Sequence, residues 1–331
     1  MRKSGMTAAC AAGHFFIDFL CAWALFRFCR PTDAWAEVML YYNFCAFALQ
    51  MPLGLLADRF RQDRSFMVLG SLLVGLACLG LGKAPLALAV AAGVGNALYH
   101  VGGGVAVLHA YARRAGPLGV FVSPGAFGIF FGTLLGKAGT DILAPSLVGL
   151  AACLTLAWLL RGADKPAPID PFRLDAPFAA LTCLFLVVCL RSLLGFLFTF
   201  PWKTGWWSVA AACAVVFGKA AGGYVSDRAG MKWASLGSLG LAALGFLFSA
   251  SPLCGVLAIF FFNMTMPLTL RAAADALPGM QGFSFGLLTF ALFLGFLPAW
   301  AGFGLPNAGW FLALGALVSL GLLLPGLRKK T

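Results

Sequence analysis

Gly54-Leu55-Leu56-Ala57-Asp58-Arg59-Phe60-Arg61-Gln62-Asp63-Arg64 returns, altered, as Gly223-Tyr224-Val225-Ser226-Asp227-Arg228-Ala229-Gly230-Met231-Lys232, 169 positions further along a chain of 331 residues. In each copy a long apolar run ends in an Asp-Arg step and a short basic turn, and another apolar run follows. The register persists at an offset of 167, where Leu69-Gly70-Ser71 answers to Leu236-Gly237-Ser238 and Asn96 answers to Asn263. The chain is one helical unit written twice, with each basic turn joining two membrane helices by a tight cytoplasmic loop. Duplicated halves of this size are a transporter signature.

Composition leads the same way. With 61% hydrophobic residues, 10% charged residues and a mean hydropathy of +0.93, the chain cannot hide its apolar surface inside a water-soluble globule. Lipid must be its solvent. A hydrocarbon layer of ~30 Å needs ~20 apolar residues per spanning helix, because every backbone polar group has to be paired within the segment. Runs of that length predict twelve helices, at about 6–30, 34–57, 66–83, 85–111, 117–136, 140–160, 177–200, 205–225, 233–250, 252–271, 282–300 and 306–325. The short connections leave no room for a soluble domain. The longest polar interruption, 161–175, holds Pro166, Pro168 and Pro171 with mixed charges. It reads as a cytoplasmic linker between six-helix bundles at 1–160 and 176–331.

Placing the N-terminus in the cytoplasm puts Arg2, Lys3, Arg59, Arg61, Arg64, Arg228, Lys232 and the C-terminal Arg328-Lys329-Lys330 inside, against Arg27, Arg30, Lys83, Lys137 and Lys203 outside. That bias predicts cytoplasmic termini in an inner or plasma membrane. A basic inner rim facing anionic lipid accounts for most of the net charge of +12, so no nucleic-acid partner is expected. The ten cysteines lie singly in apolar runs with no C-x-x-C, as small buried hydrophobes do. No cofactor and no metal site is expected. Arg2-Lys3 followed by an apolar run resembles a signal peptide, but His14 and Asp18 interrupt it and the run is too long, so it reads as a retained helix.

Polar side chains deep in lipid are costly and normally face a cavity or one another, which makes them a map of the site. At ~1.5 Å per residue, Asp18 in the first helix and Arg191 in the seventh fall near mid-bilayer. His14 lies one helical turn before Asp18 on the same face, where a proton relay or a structural hydrogen bond is equally open. Gln50 and Lys219 precede Asp58 and Asp227 by the same eight residues, so the duplication sets them at equal depth; Lys219 either lines the path or snorkels to the interface. Asn96 and Asn263 form another symmetric pair, His100 is one turn beyond Asn96, and Tyr41, Tyr42 and Asn43 lie at comparable depth. These groups orient a small polar ligand or tie helices together. Gly102-Gly103-Gly104 and the glycines from Gly125 to Gly136 suit close helix packing, and with no P-loop Lys-Ser/Thr the triplet carries no nucleotide site. A membrane enzyme using His14, His100 and His109 is the least favoured class, although the first and fourth helices could bring His14 and His100 together.

Asp58, Arg59, Arg61 and Arg64, with Asp227, Arg228 and Lys232 in the second copy, resemble the Gly-x-x-x-Asp-Arg-x-x-Arg-Arg loop of major facilitator superfamily transporters. Gly13-His14-Phe15-Phe16-Ile17-Asp18, Gly95-Asn96-Ala97-Leu98-Tyr99-His100 and Ser123-Pro124-Gly125-Ala126-Phe127-Gly128 resemble its fosmidomycin-resistance branch, with Val101 where a Pro is usual. The resemblance implies an all-α fold of twelve helices in two pseudo-symmetric bundles around a shared path, with the first and seventh helices facing each other. It therefore implies an Asp18–Arg191 ion pair, direct or through water. The basic motifs are then gates. The implied function is non-enzymatic alternating-access transport of a small organic anion, coupled to protons and leaning to export by antiport, in a chain that works as a monomer. His14 and Asp18 would carry the proton, Arg191 and Lys219 would attract the anion, and Asn96, His100, Asn263, Gln50, Tyr41 and Asn43 would line its site. Uptake of an anionic nutrient, and a passive channel or receptor on the same scaffold, stay open.

Overall fold

The computed structural model describes residues 2–61, 63–160 and 174–328. All regular structure among them is helical, as expected. Ten helices are long and apolar enough to cross a membrane, and two shorter apolar ones complete the set of twelve. In chain order they are α1 (Lys3–Cys29), α2 (Trp35–Phe60), α3 (Asp63–Gly80), α4 (Pro85–Ala110), α5 (Gly116–Lys137), α6 (Leu143–Leu159), α7 (Phe178–Leu197), α8 (Gly205–Ala229), α9 (Met231–Leu247), α10 (Pro252–Ala276), α11 (Gln281–Trp300) and α12 (Gly309–Gly326). Most of the linker expected over 161–175 lies outside the described residues.

Several helices are not regular, and the sequence supplies the causes. Pro124 divides α5 into Gly116–Val122 and Gly125–Lys137, because proline has no N–H to bond the preceding turn. In α10 the break falls at Met264, between Pro252–Asn263 and Thr265–Ala276. Pro267 lies four residues after Asn263, and a proline ring clashes with the carbonyl four residues back. Wide π turns occupy Leu25–Cys29 in α1 and Phe44–Ala48 in α2, a distortion that often lies beside functional groups.

The chain divides into two compact units. The first contains residues 1–112, 124–169 and 280–290, and the second contains 113–123, 170–279 and 291–331. Lipid gives no hydrophobic drive for helix association, so packing within a unit relies on small residues that let backbones meet. In the first unit α1 and α5 associate through Gly125, Gly128, Gly132 and Gly136, each set against α1. Gly70 of α3 and Gly95 of α4 meet reciprocally: a Cβ on Gly95 would lie 2.8 Å from the Gly70 carbonyl oxygen. The ten cysteines are free thiols inside these helices, five of them buried.

Candidate functional site

The heart of the first unit is polar. His14 and Asp18 are one turn apart on α1, Asn96 and His100 are one turn apart on α4, and all four are buried, with exposures of 5%, 7%, 2% and 8%. Equal spacing on two packed helices brings the four side chains to one place. Asn96 Nδ2 donates to Asp18 Oδ1 at 2.8 Å. His14 Nε2 lies 3.2 Å from Asp18 Oδ2, and His100 Nε2 lies 3.6 Å from Asp18 Oδ1. The two imidazoles meet edge to face with their Nε2 atoms 2.7 Å apart.

Tautomers follow from the partners. His100 Nδ1 is 2.8 Å from the Asn96 carbonyl oxygen, which only accepts, so Nδ1 carries the hydrogen. Neutral His100 then offers an Nε2 lone pair, and the contact with His14 Nε2 needs a proton on the other ring. A shared proton beside a carboxylate is what the arrangement holds chemically. Nothing bulky fits over it: a Cβ on Gly125 would collide with Asp18 Oδ2 and His14 Nε2. Sequence spacing gave no reason to expect a metal-binding set, because the third donor is remote in the chain. The fold nevertheless gathers donor atoms of His14, Asp18 and His100 within 4.8 Å of one another.

Asp18 thus has histidine and asparagine partners within the first unit. Arg191, on α7 in the second unit, keeps a buried Nη1 with no hydrogen-bond partner among the described residues. Lys219 Nζ donates to the Val122 carbonyl at 3.4 Å. Asn263 does not repeat Asn96, since its Nδ2 bonds Ile259 O of its own helix at 2.8 Å. Asn43 is buried and bonds Met39 O at 2.7 Å. Gln50 is fully buried; its Nε2 donates to Ala46 O and its Oε1 has no hydrogen-bond partner among the described residues. Tyr41 is 46% exposed, whereas its neighbour Tyr42 is half-buried.

The duplicated motifs form two clasps. Asp58 accepts from Gly282 N and Phe283 N, both at 2.8 Å, at the start of α11 and within the first unit. Asp227 accepts from Ala115 N at 2.7 Å and Gly116 N at 2.9 Å, at the start of α5 and within the second unit. A helix N-terminus offers unpaired N–H groups and a positive dipole end, so each carboxylate makes a charge-assisted pair of bonds. The contact is repeated one to two turns along: Gly286 abuts the Gln50 backbone and Gly119 the Lys219 backbone. These receiving glycines were missed in the sequence, although glycines shortly after Arg113-Arg114 and after Pro278-Gly279 were the available signal.

The basic companions are differently placed. Arg59 stacks its guanidinium on Phe60 at 5.8 Å, Arg61 ends α2 with a positive φ, and Arg64 N bonds Asp63 Oδ1 at 3.0 Å. Arg228 and Lys232 are exposed. A further buried cation had also gone unremarked as a site: Arg271, 6% exposed on α10, pairs with Asp275 one turn on.

A twelve-helix membrane protein with this duplicated clasp defines a class of carrier. The Major Facilitator Superfamily model matches residues 30–299, and the chain belongs to that family. Among solved structures it is similar to a variant of the E. coli fucose:proton symporter FucP, with a TM-score of 0.67, 12% identity and 96% and 97% of the two chains covered. It is similar to the proton:xylose symporter XylE (TM-score 0.67, 11% identity, 98% and 96% covered). A bacterial homologue of the iron transporter ferroportin in its outward-facing state also matches (TM-score 0.60, 16% identity, 98% and 96% covered). Identities this low speak for fold alone. No curated protein matches the chain significantly.

Proposed function

We propose that this transporter moves a small organic anion by alternating access, exchanging it for protons and exporting it, as the fosmidomycin-resistance-like strings favour. One observation carries the reading: the buried His14–Asp18–Asn96–His100 network, a proton-holding group inside a membrane span. Buried ionisable groups in spans commonly mark ion and proton pathways. His14 and Asp18 carry the coupling proton, with His100 as its second holder and Asn96 keeping Asp18 in place. The buried Nη1 of Arg191 supports an anionic substrate, with Lys219 as a second positive group and Asn263, Gln50, Tyr41 and Asn43 as further lining. The bundles that move are 1–160 and 176–331, and both termini lie in the cytoplasm of a plasma or inner membrane. Asp58 with Arg59, Arg61 and Arg64, and Asp227 with Arg228 and Lys232, hold the gate closed in one state and release it in the other. The chain works as a monomer.

The test is transport of an anion library in proteoliposomes under imposed pH gradients, with Asp18→Asn beside the native chain. An anion whose flux follows the gradient in the native chain, and equilibrates without accumulation in the variant, supports the reading. Gradient-driven accumulation by Asp18→Asn removes Asp18 from the coupling step. The sugar–proton symporters among the similar structures favour a second reading, uptake with protons. The sign of the gradient that drives accumulation separates the two. Counterflow separates either from a channel.

A further inference from the structure

We infer that His14, Asp18 and His100 form a binding site for one divalent transition-metal ion, of the class that mixed imidazole and carboxylate donors select, with Zn2+ and Co2+ as its probes. The donors are chemically right, since imidazole suits Zn2+, Fe2+, Co2+ and Ni2+, whereas Mg2+ and Ca2+ need more oxygens than one carboxylate supplies. Their spacing is right as well. Around an ion with bonds of ~2.0–2.1 Å, neighbouring donors stand ~3.0–3.4 Å apart. The two Nε2 atoms stand 2.7 Å apart, His14 Nε2 lies 3.2 Å from Asp18 Oδ2 and His100 Nε2 lies 3.6 Å from Asp18 Oδ1, so the two imidazoles and the two oxygens of one carboxylate lie near that range.

The outer partners of His100 and Asp18 point to a ligand as well. The donors already have the outer partners that metal-ligating groups need: His100 Nδ1–H is tied to the Asn96 carbonyl, which turns the Nε2 lone pair inward, and Asn96 Nδ2 holds Asp18 Oδ1. Gly125 lets the α5 backbone close over the same donors, and an alanine Cβ there would collide with Asp18 Oδ2 and His14 Nε2 and displace both. One carboxylate balances half the charge of a dication, which leaves positions for water or for an anionic ligand. A bound ion would take the same lone pairs that hold a proton under the transport reading, so ion and proton compete for the site and occupy it in turn. The inference itself concerns binding and does not require that the chain transport protons.

The experiment uses the full chain, purified in detergent and free of metal. Co2+ is titrated and followed by its visible ligand-field absorption, Zn2+ is measured by competition with a chromophoric chelator, and thermal stability is read with and without Zn2+. The expected result is one equivalent bound, a Zn2+-dependent rise in Tm, and affinity at least ~10-fold weaker in His14→Gln, Asp18→Asn and His100→Gln. Gly125→Ala should weaken binding as well, and His109→Gln, which alters an exposed histidine on α4, should leave it unchanged. Each variant is first checked for monodisperse elution and cooperative melting; if one fails, the native-chain spectrum and Tm shift decide. Absence of stoichiometric binding in the native chain overturns the inference. So does binding that survives all three donor substitutions or disappears in His109→Gln. Transport is not read at any point, so failure here leaves the carrier reading intact.

Discussion

Asn96 and Asn263 occupy matching places in the duplication, yet Asn96 donates to a carboxylate on another helix and Asn263 only to a carbonyl one turn behind it. At the motif-bearing ends the copies agree: Asp58 and Asp227 each bond two successive backbone N–H groups at a helix start, at 2.7–2.9 Å. The repeat has preserved the fastening and let the interiors diverge. One unit has gathered acid, amide and imidazole into a single cluster. The other holds a buried guanidinium nitrogen without a hydrogen-bond partner among the described residues.

The sharpest way to break this contrast is Asp18→Asn, which should abolish proton-driven accumulation while counterflow persists, whereas Asn263→Ala should weaken substrate affinity and keep accumulation coupled to the proton gradient. Equal losses in the two variants, measured by isotope flux in proteoliposomes, would mean that the interiors have not divided the work. Next comes Gly125→Ala. Its methyl meets Asp18 and His14, and overpacking of this kind costs ~1–3 kcal/mol. Gly195→Ala, where a Cβ meets nothing within 4 Å, should be neutral or stabilising by up to ~1 kcal/mol. Thermal melting in one detergent compares the two, and a stable Gly125→Ala chain would deny the tight cover over Asp18.

Asn96→Ala strips a donor from a buried carboxylate and should destabilise by ~1–3 kcal/mol, while Asn263→Ala removes only a local bond worth ~1 kcal/mol or less. Similar melting shifts for both would erase the asymmetry. The smallest difference is expected between the clasps themselves. Asp58→Asn should cost ~1–2 kcal/mol in the clasped state, and Asp227→Asn less, because Asp58 is half-buried and Asp227 exposed to screening water. Spin-label distances across each motif-bearing end would report the clasped fraction. A larger loss for Asp227→Asn reverses the ranking.

The fold was legible because its signals are periodic and strong: apolar runs of spanning length, a repeated Asp-Arg turn, and prolines that mark where α5 and α10 break. The site was half legible. His14 and Asp18 announce themselves as polar groups one turn apart in an apolar run, and Asn96 and His100 do the same on α4. Their mutual contact depends on helix rotation and on Gly125, which no spacing within one helix encodes. The same limit applies to the partners of Asp18. A carboxylate bonds whichever donors its face meets, and α4 presents two nitrogens to Asp18, from Asn96 and His100, while His14 adds a third from α1.

Where the first motif closes, Arg61 has φ 51° and ψ 41°; the residue 169 places on, Gly230, has φ 84° and ψ 149°. The first geometry is left-handed helical, which a side chain tolerates at a cost of ~1–2 kcal/mol. The second belongs to a region essentially reserved for glycine. The twin turns therefore differ in mutational latitude. Evolution, or an engineer, has nearly the whole amino-acid alphabet at position 61 and a single letter at position 230, so new surface chemistry beside the first turn is cheap and beside the second is closed off.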